Sequence, residues 1–371
     1  MPDNQAVILQ SYSPRFAYDK APMLVYWEMT RSCDLACIHC RAEAMAQPHP
    51  LELSTEEGRA LLREIRAFGE ARPPHLVLTG GDPLKRADLY ELIAEARALG
   101  IEVSVTPAAT PRLTRRALEL LKEAGVSSLA LSLDGSEANR HDSFRGVSGT
   151  FDLTIAAIRE AGDLGIPLQI NTMVTGATAQ DLPSIYELLA TLGVGRWALF
   201  FLISTGRGRS LAELSPGEGE RLLTWLCDLA ESPETPFVIK TTEAHHVRRL
   251  SYQRMHSRGA SDEEFLRSPF GRGLGVRDGN GIVFVSHIGE IFPSGFLPIE
   301  CGNVRTSRLA DIYRSQEPFP SLRNADALKG KCGRCPYRFI CGGSRARAYA
   351  TTGDPLESDA LCLYPTILFR E

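Results

Sequence analysis

Between residues 23 and 204 the apolar positions switch repeatedly between two rhythms. Short, nearly unbroken apolar runs, rich in branched and aromatic residues, read as buried strands: MLVYWEMT (23–30), HLVLT (75–79), IEVSVT, SLALSLD (128–134), PLQINTMV (167–174) and RWALFFLIS (196–204). Between them, apolar residues recur every third or fourth position, as in RADLYELIAEARALG (86–100), TRRALELLKEAG, TFDLTIAAIREAGDLG and LPSIYELLATLG. That period predicts helices with one buried face. Ser54 with Glu57, and Ser215 with Glu218, have the spacing of capping boxes and mark two further helix starts. Six strand–helix pairs in succession predict a parallel sheet with helical crossovers. Such a sheet can close as a barrel, stop as a partial barrel or stay open. Ligands gather at the C-terminal ends of the strands in barrels and open sheets alike, so the residues just after each strand become the candidates for chemistry.

The rhythm changes after about residue 235. A helix is expected within TEAHHVRRLSYQRM, and GIVFVSHIGEIFPSG (281–295) reads as a hairpin turning near Ile288-Gly289. The expected organisation is an N-terminal extension (1–22), a main domain (23–235) and a smaller C-terminal domain (236–371).

Charge excludes some classes of function. Forty-one basic residues stand against 45 acidic ones, a net of -4, so neither a nucleic-acid footprint nor a polybasic membrane anchor is expected. No apolar run is long enough to cross a bilayer, and the N-terminus lacks a secretion-signal pattern. A cytoplasmic enzyme is the expectation. In that compartment nine cysteines are not a disulfide framework. They also cluster, at 33, 37 and 40 and again at 332, 335, 341 and 362, which points to metal sites.

The first group, CDLACIHC, follows the first strand with the spacing C-x3-C-x2-C. Cys33, Cys37 and Cys40 are one thiolate short of a closed zinc site. His39 adjoins Cys40 and would have to fold back awkwardly to serve as the fourth ligand. Three cysteines do suit a four-iron cluster that keeps one iron free for a small molecule. This motif, after a first strand, resembles the signature of the radical S-adenosylmethionine (SAM) enzymes. The resemblance implies a partial (β/α)6 barrel of α/β class with a smaller C-terminal iron–sulfur domain. It also implies a [4Fe-4S] cluster whose open iron chelates SAM, reductive cleavage of SAM to a 5′-deoxyadenosyl radical, and a low-potential electron donor such as flavodoxin or ferredoxin. TGGDP (79–83) matches the family's glycine-glycine-acid turn: Gly80 and Gly81 allow close backbone approach, and Asp82 would accept from the SAM ammonium. Ser132 and Asp134 in SLDG fall where polar contacts to SAM are made. Arg145 resembles an arginine that pairs with the SAM carboxylate, and Asn171 is a further candidate on the fifth strand.

Cys332, Cys335, Cys341 and Cys362 can close a complete site, for zinc or for a fully ligated cluster. After a radical SAM core, C-x2-C-x5-C resembles the SPASM/Twitch extension, which carries auxiliary iron–sulfur clusters. Ser294 and Arg345 stand where the larger form has cysteines, so one auxiliary [4Fe-4S] cluster on these four residues is expected. It would accept the leftover electron or help to bind substrate. Cys301 is an alternative ligand, and Cys227 reads as helix core.

The tail CGGSRARAYATTGDPLESDALC (341–362) and KTTEAHHVRR (240–249) resemble the enzymes of alternative haem and haem d1 biosynthesis. That subgroup modifies tetrapyrrole propionates, and oxidative decarboxylation is the reaction expected. Arg207 and Arg209 after the sixth strand, with Arg345 and Arg347, supply guanidiniums suited to carboxylates, and His246 is a candidate contact to an iron or a propionate. Equally, the arginines near a cluster balance its charge and the two histidines lie on a solvated face. Two rivals remain: a maturase of a ribosomally made peptide, and a non-catalytic zinc-stabilised interaction module.

Overall fold

The computed structural model describes residues 18–69 and 73–364. The expected extension therefore lies, up to residue 17, outside the described residues.

All six expected strands form: β1 (Leu24–Thr30), β2 (His75–Gly80), β3 (Val103–Val105), β4 (Ser128–Ser132), β5 (Leu168–Val174) and β6 (Arg196–Phe201). They are parallel and adjacent in chain order. Helices α1 (Thr55–Arg66), α2 (Leu89–Ala98), α3 (Arg115–Glu123), α4 (Ala138–Arg145), α5 (Thr150–Asp163) and α6 (Leu182–Thr191) make the crossovers, and α7 (Pro216–Glu231) follows β6. Both capping boxes are formed: Ser54 accepts from the Glu57 amide at the start of α1, and Ser215 from the Glu218 amide at the start of α7.

The sheet runs past the six strands. β7 (Val238–Thr242) adds parallel to β6, and β8 (Ile282–Val285) adds parallel to β1. β9 (Glu290–Phe292) pairs antiparallel with β8, which is the expected hairpin, with Gly289 in its turn at φ 87°. β10 (Gly302–Asn303) closes the order β10-β9-β8-β1-β2-β3-β4-β5-β6-β7. β7 and β10 are the two ends, so the sheet stays open, a partial barrel. Strands of one sheet therefore lie on both sides of residue 235. The next helix, α8 (Val247–Ser257), begins later than expected because Glu243 adopts a left-handed φ of 60° after β7. Beyond it lie α9 (Asp262–Arg267), α10 (Leu309–Ser315), α11 (Phe319–Arg323), α12 (Gly330–Gly333) and α13 (Arg345–Thr352).

One main core runs from Val25 through Trp27, Leu61, Ile93, Leu131, Ile170 and Trp197 to Leu361. Each such side chain contributes roughly 1.5–3 kcal/mol on burial. β5 shows how the core aims the site. Leu168, Ile170, Thr172 and Val174 are buried, while Gln169, Asn171 and Met173 face the other way. The period of two thus sends Asn171 and Met173 to the inner side of the sheet. Among the described residues no helix is long and apolar enough to cross a membrane.

Candidate active site

A cavity of about 220 Å³ opens at the C-terminal ends of β1 to β6. Its wall includes Cys33, Cys37 and Cys40 from the loop after β1, Gly80 at the end of β2 and Gly81 just after it, and Ser132, Asp134, Arg145 and Asn171. The cysteine loop is held from two sides. Gly81 donates its N–H to Thr30 O and Asp82 to Ser32 O, both at 2.7 Å, carrying the β1–β2 pairing past the strand ends. A Cβ on Gly80 would lie 2.3 Å from Thr30 O, and one on Gly81 2.3 Å from Ser32 O. Only glycine permits that approach. From the other side, Ala36 N–H and Ile38 N–H donate to the carbonyls of Arg145 and Phe144 at the end of α4.

The sulfurs already receive donors. Leu35 N–H lies 3.4 Å from Cys33 Sγ, Ala44 N–H 3.4 Å from Cys40 Sγ, and Arg145 Nη1 3.6 Å from Cys37 Sγ. Such contacts stabilise thiolate and tune a cluster. Without metal, burial pushes the Cys33 thiol up to about 11, so loading the site releases a proton.

Asp134 and Arg145 form a buried ion pair beside the triad; their side chains are 1% and 12% exposed. Asp134 Oδ1 also accepts the Met173 N–H at 2.6 Å. Burial would raise the Asp134 carboxyl, but the Arg145 charge overrides it and holds the group below the usual range. Asp82 turns away from the cavity: its carboxylate is buried and accepts from Leu84 N–H, Ala108 N–H and the Thr110 hydroxyl. As placed, it shapes the loop after β2. His39 lines the cavity but its ring stacks on Phe144 at 4.6 Å, and burial pushes its pKa down to about 3.

The outer wall carries Phe200, Leu202, Phe296 and Arg207. Arg207 Nε and Nη2 are buried and have no hydrogen-bond partner. Arg209 is exposed and does not line the cavity. Arg345 and Arg347, expected near the substrate, are 0% and 1% exposed and engaged within the protein. Arg345 donates to the carbonyls of Pro355 and Glu357 and contacts Cys332 Sγ at 3.7 Å. Arg347 pairs with Glu213 and Asp359. Their charge serves the interior, in keeping with the alternative of charge balance. His246 is fully buried, not solvated, and lies off the cavity.

Cys332, Cys335, Cys341 and Cys362 converge on a second, smaller cavity with Arg249 and Lys331. Gly343 N–H and Asp359 N–H lie 3.4 Å from Cys341 Sγ and Cys332 Sγ. Cys301 lies elsewhere, its thiol 3.2 Å from Ile299 O in the main core, and Cys227 is core within α7.

The model of the Radical SAM superfamily matches residues 27–189. An AdoMet-dependent heme synthase of Nitratidesulfovibrio vulgaris is 39% identical over 361 residues, covering 95% of this chain and 96% of that protein. The chain belongs to the radical SAM superfamily. Another AdoMet-dependent heme synthase, from Methanosarcina barkeri, is 37% identical over 94% of this chain and 98% of its own length. Peptide-modifying relatives are more distant: a PqqA peptide cyclase of Methylocella silvestris is 26% identical over 92% of this chain and 87% of its own length. Streptococcus suis SuiB bound to S-adenosylmethionine shares the fold, with a TM-score of 0.69 at 16% identity over 93% of this chain and 78% of that one. The chain is an enzyme of the superfamily's haem subgroup, and SAM and a [4Fe-4S] cluster are its cofactors.

Proposed function

We propose that this enzyme removes a hydrogen atom from the propionate side chain of a porphyrin and releases its carboxylate as carbon dioxide, leaving an alkene and one electron, which passes to an electron acceptor such as an auxiliary iron–sulfur cluster. Cys33, Cys37 and Cys40 would hold the cluster, and Gly80, Gly81, Ser132, Asp134, Arg145 and Asn171 the SAM around it. The bound pair supplies one-electron cleavage of SAM and, from it, a hydrogen-abstracting radical. The protein positions and excludes water. Arg145 keeps Asp134 ionised and orients it. The apolar wall of Phe200, Leu202 and Phe296 gives a tetrapyrrole face its contact and shields the radical from solvent.

The observation that carries the substrate reading is Arg207. A half-buried guanidinium with two buried, unpartnered nitrogens, Nε and Nη2, lining the same cavity as the cysteine triad, is matched by a carboxylate. We also assign an auxiliary iron–sulfur cluster to Cys332, Cys335, Cys341 and Cys362, supported by their convergence on one cavity and the N–H donors on their sulfurs. The test is anaerobic turnover with SAM, a low-potential reductant such as reduced flavodoxin, and an iron porphyrin carrying propionates. A mass loss of carbon dioxide plus two hydrogens per side chain, with 5′-deoxyadenosine formed in step, is the expected result. 5′-Deoxyadenosine formed with no change in the porphyrin rejects the substrate.

A further inference from the structure

Just past the end of β7, three side chains of metal-binding type turn toward one another. Glu243, His245 and Asp278 bring two carboxylate oxygens and a ring nitrogen within 4.8 Å, the one such trio among the described residues. They are 4%, 8% and 1% exposed. His245 Nε2 and Asp278 Oδ1 are buried with no hydrogen-bond partner, a costly state for a polar atom. Asp278 Oδ2 accepts the N–H groups of Arg345 and Ala346 at 3.1 Å, and Glu243 Oε2 accepts the Ser344 hydroxyl. Glu243 holds its left-handed backbone conformation at this point, and such strain persists where the surroundings demand it.

Nearby arginines offset part of the carboxylate charge through space, Arg347 at Glu243 and Arg277 at Asp278, without pairing with them. Arg248 and Arg277 donate to the carbonyls of Val276 and Leu322, and Arg345 and Arg347 are engaged as described above. Among the described residues, no guanidinium hydrogen-bonds to either carboxylate. A proton shared between Glu243 and Asp278 would ease their repulsion but leave His245 Nε2 unmatched. Burial keeps that imidazole neutral, the form that ligates metals. A cation satisfies all three groups at once.

We propose that Glu243, His245 and Asp278 bind a single divalent transition-metal ion, separate from both cysteine sites. One imidazole with two carboxylates is a mixed nitrogen–oxygen set suited to zinc or manganese, whose ligand atoms stand about 3–4 Å apart. Buried on every side, the ion ties the end of β7 to the loop before β8. Through Asp278 it also holds the first turn of α13, the helix that follows Cys341. Its role is to fix the four-cysteine segment against the barrel.

The test loads the anaerobically reconstituted holoenzyme with Zn2+ or, separately, Mn2+, removes excess ion by desalting, and measures bound metal alongside iron. About one added ion per chain is expected, with an X-ray absorption edge of the zinc form showing nitrogen and oxygen neighbours and no sulfur. His245→Ala and Asp278→Asn should each weaken binding of the added ion at least tenfold; Glu243→Gln, the mildest change, serves if either fails to fold. Wild-type holoenzyme that retains neither ion overturns the proposal. So does a sulfur shell around zinc, or equal retention by well-folded variants. None of these results bears on porphyrin turnover.

Discussion

Replacing Arg145 by methionine keeps most of its volume and removes its charge, which isolates what the ion pair with Asp134 contributes. In the wild type the Asp134 carboxylate is almost fully buried and has two matched donors, Arg145 Nη2 and the Met173 N–H. The variant leaves a buried carboxylate with one neutral donor. Breaking a buried pair from one side costs about 3–5 kcal/mol. With an unfolding entropy of about 0.8 kcal/mol/K for a chain of 371 residues, Tm should fall by about 4–6 °C. The pH dependence has a definite sign. The pair depresses the Asp134 carboxyl in the wild type, so its contribution is complete above the unfolded value and is lost only as pH falls through the folded one. In the variant burial, opposed only by the neutral Met173 donor, raises that carboxyl, so its penalty is largest at neutral pH and shrinks as pH falls. The Tm gap should therefore be wider at pH 7.5 than at pH 6, read by circular dichroism on anaerobic samples. Asp134→Asn combined with Arg145→Met should recover most of the loss. A single variant within about 1 °C of wild type, or a double variant no more stable than the single, would refute the reasoning.

Gly81→Ala should displace the cysteine loop, because its Cβ meets Ser32 O at 2.3 Å; 5′-deoxyadenosine formation should fall on the order of 100-fold in a folded protein, and a wild-type rate would exclude the role given to the glycine. Arg207→Gln should raise KM for a porphyrin carboxylate about tenfold or more while SAM affinity stays unchanged, since a charged hydrogen bond is worth about 1.5–3 kcal/mol; an unchanged KM removes Arg207 from substrate binding. Cys341→Ala should lower iron by about four per chain and leave reductive SAM cleavage in place, checked by iron analysis and product chromatography. Ser54→Ala should cost about 1 kcal/mol through loss of the α1 cap, measured by denaturant unfolding, with SAM cleavage unaltered.

What could be read from the chain alone was whatever is encoded locally. The six strands, the two capping boxes and the Ile288-Gly289 hairpin follow from period and turn chemistry over a few residues. The cysteine triad was legible because its spacing and its place after β1 are both local. Pairing of distant segments was not: nothing in IVFV announces that β8 adds beside β1, a contact closed across some 250 residues of chain. Side-chain direction was equally hidden. Arg345 and Arg347 follow Cys341 in sequence, yet α13 turns both inward to carbonyls and carboxylates. Asp82 sits in the expected turn, but its carboxylate serves the amides of Leu84 and Ala108. Glu243 and His245 gave a weak signal, two potential ligands one residue apart; their partner Asp278 lies 33 positions after His245, beyond the reach of any local pattern.

The central claim is that Cys33, Cys37 and Cys40 hold the cluster at which SAM is cleaved. Its most direct test is iron, sulfide and zinc content of anaerobic protein, together with 5′-deoxyadenosine formed under dithionite, compared between wild type and a Cys33→Ala, Cys37→Ala, Cys40→Ala variant. About eight irons falling to about four, with complete loss of 5′-deoxyadenosine, is the predicted result. Zinc in place of iron, or SAM cleavage that survives loss of the triad, would contradict it.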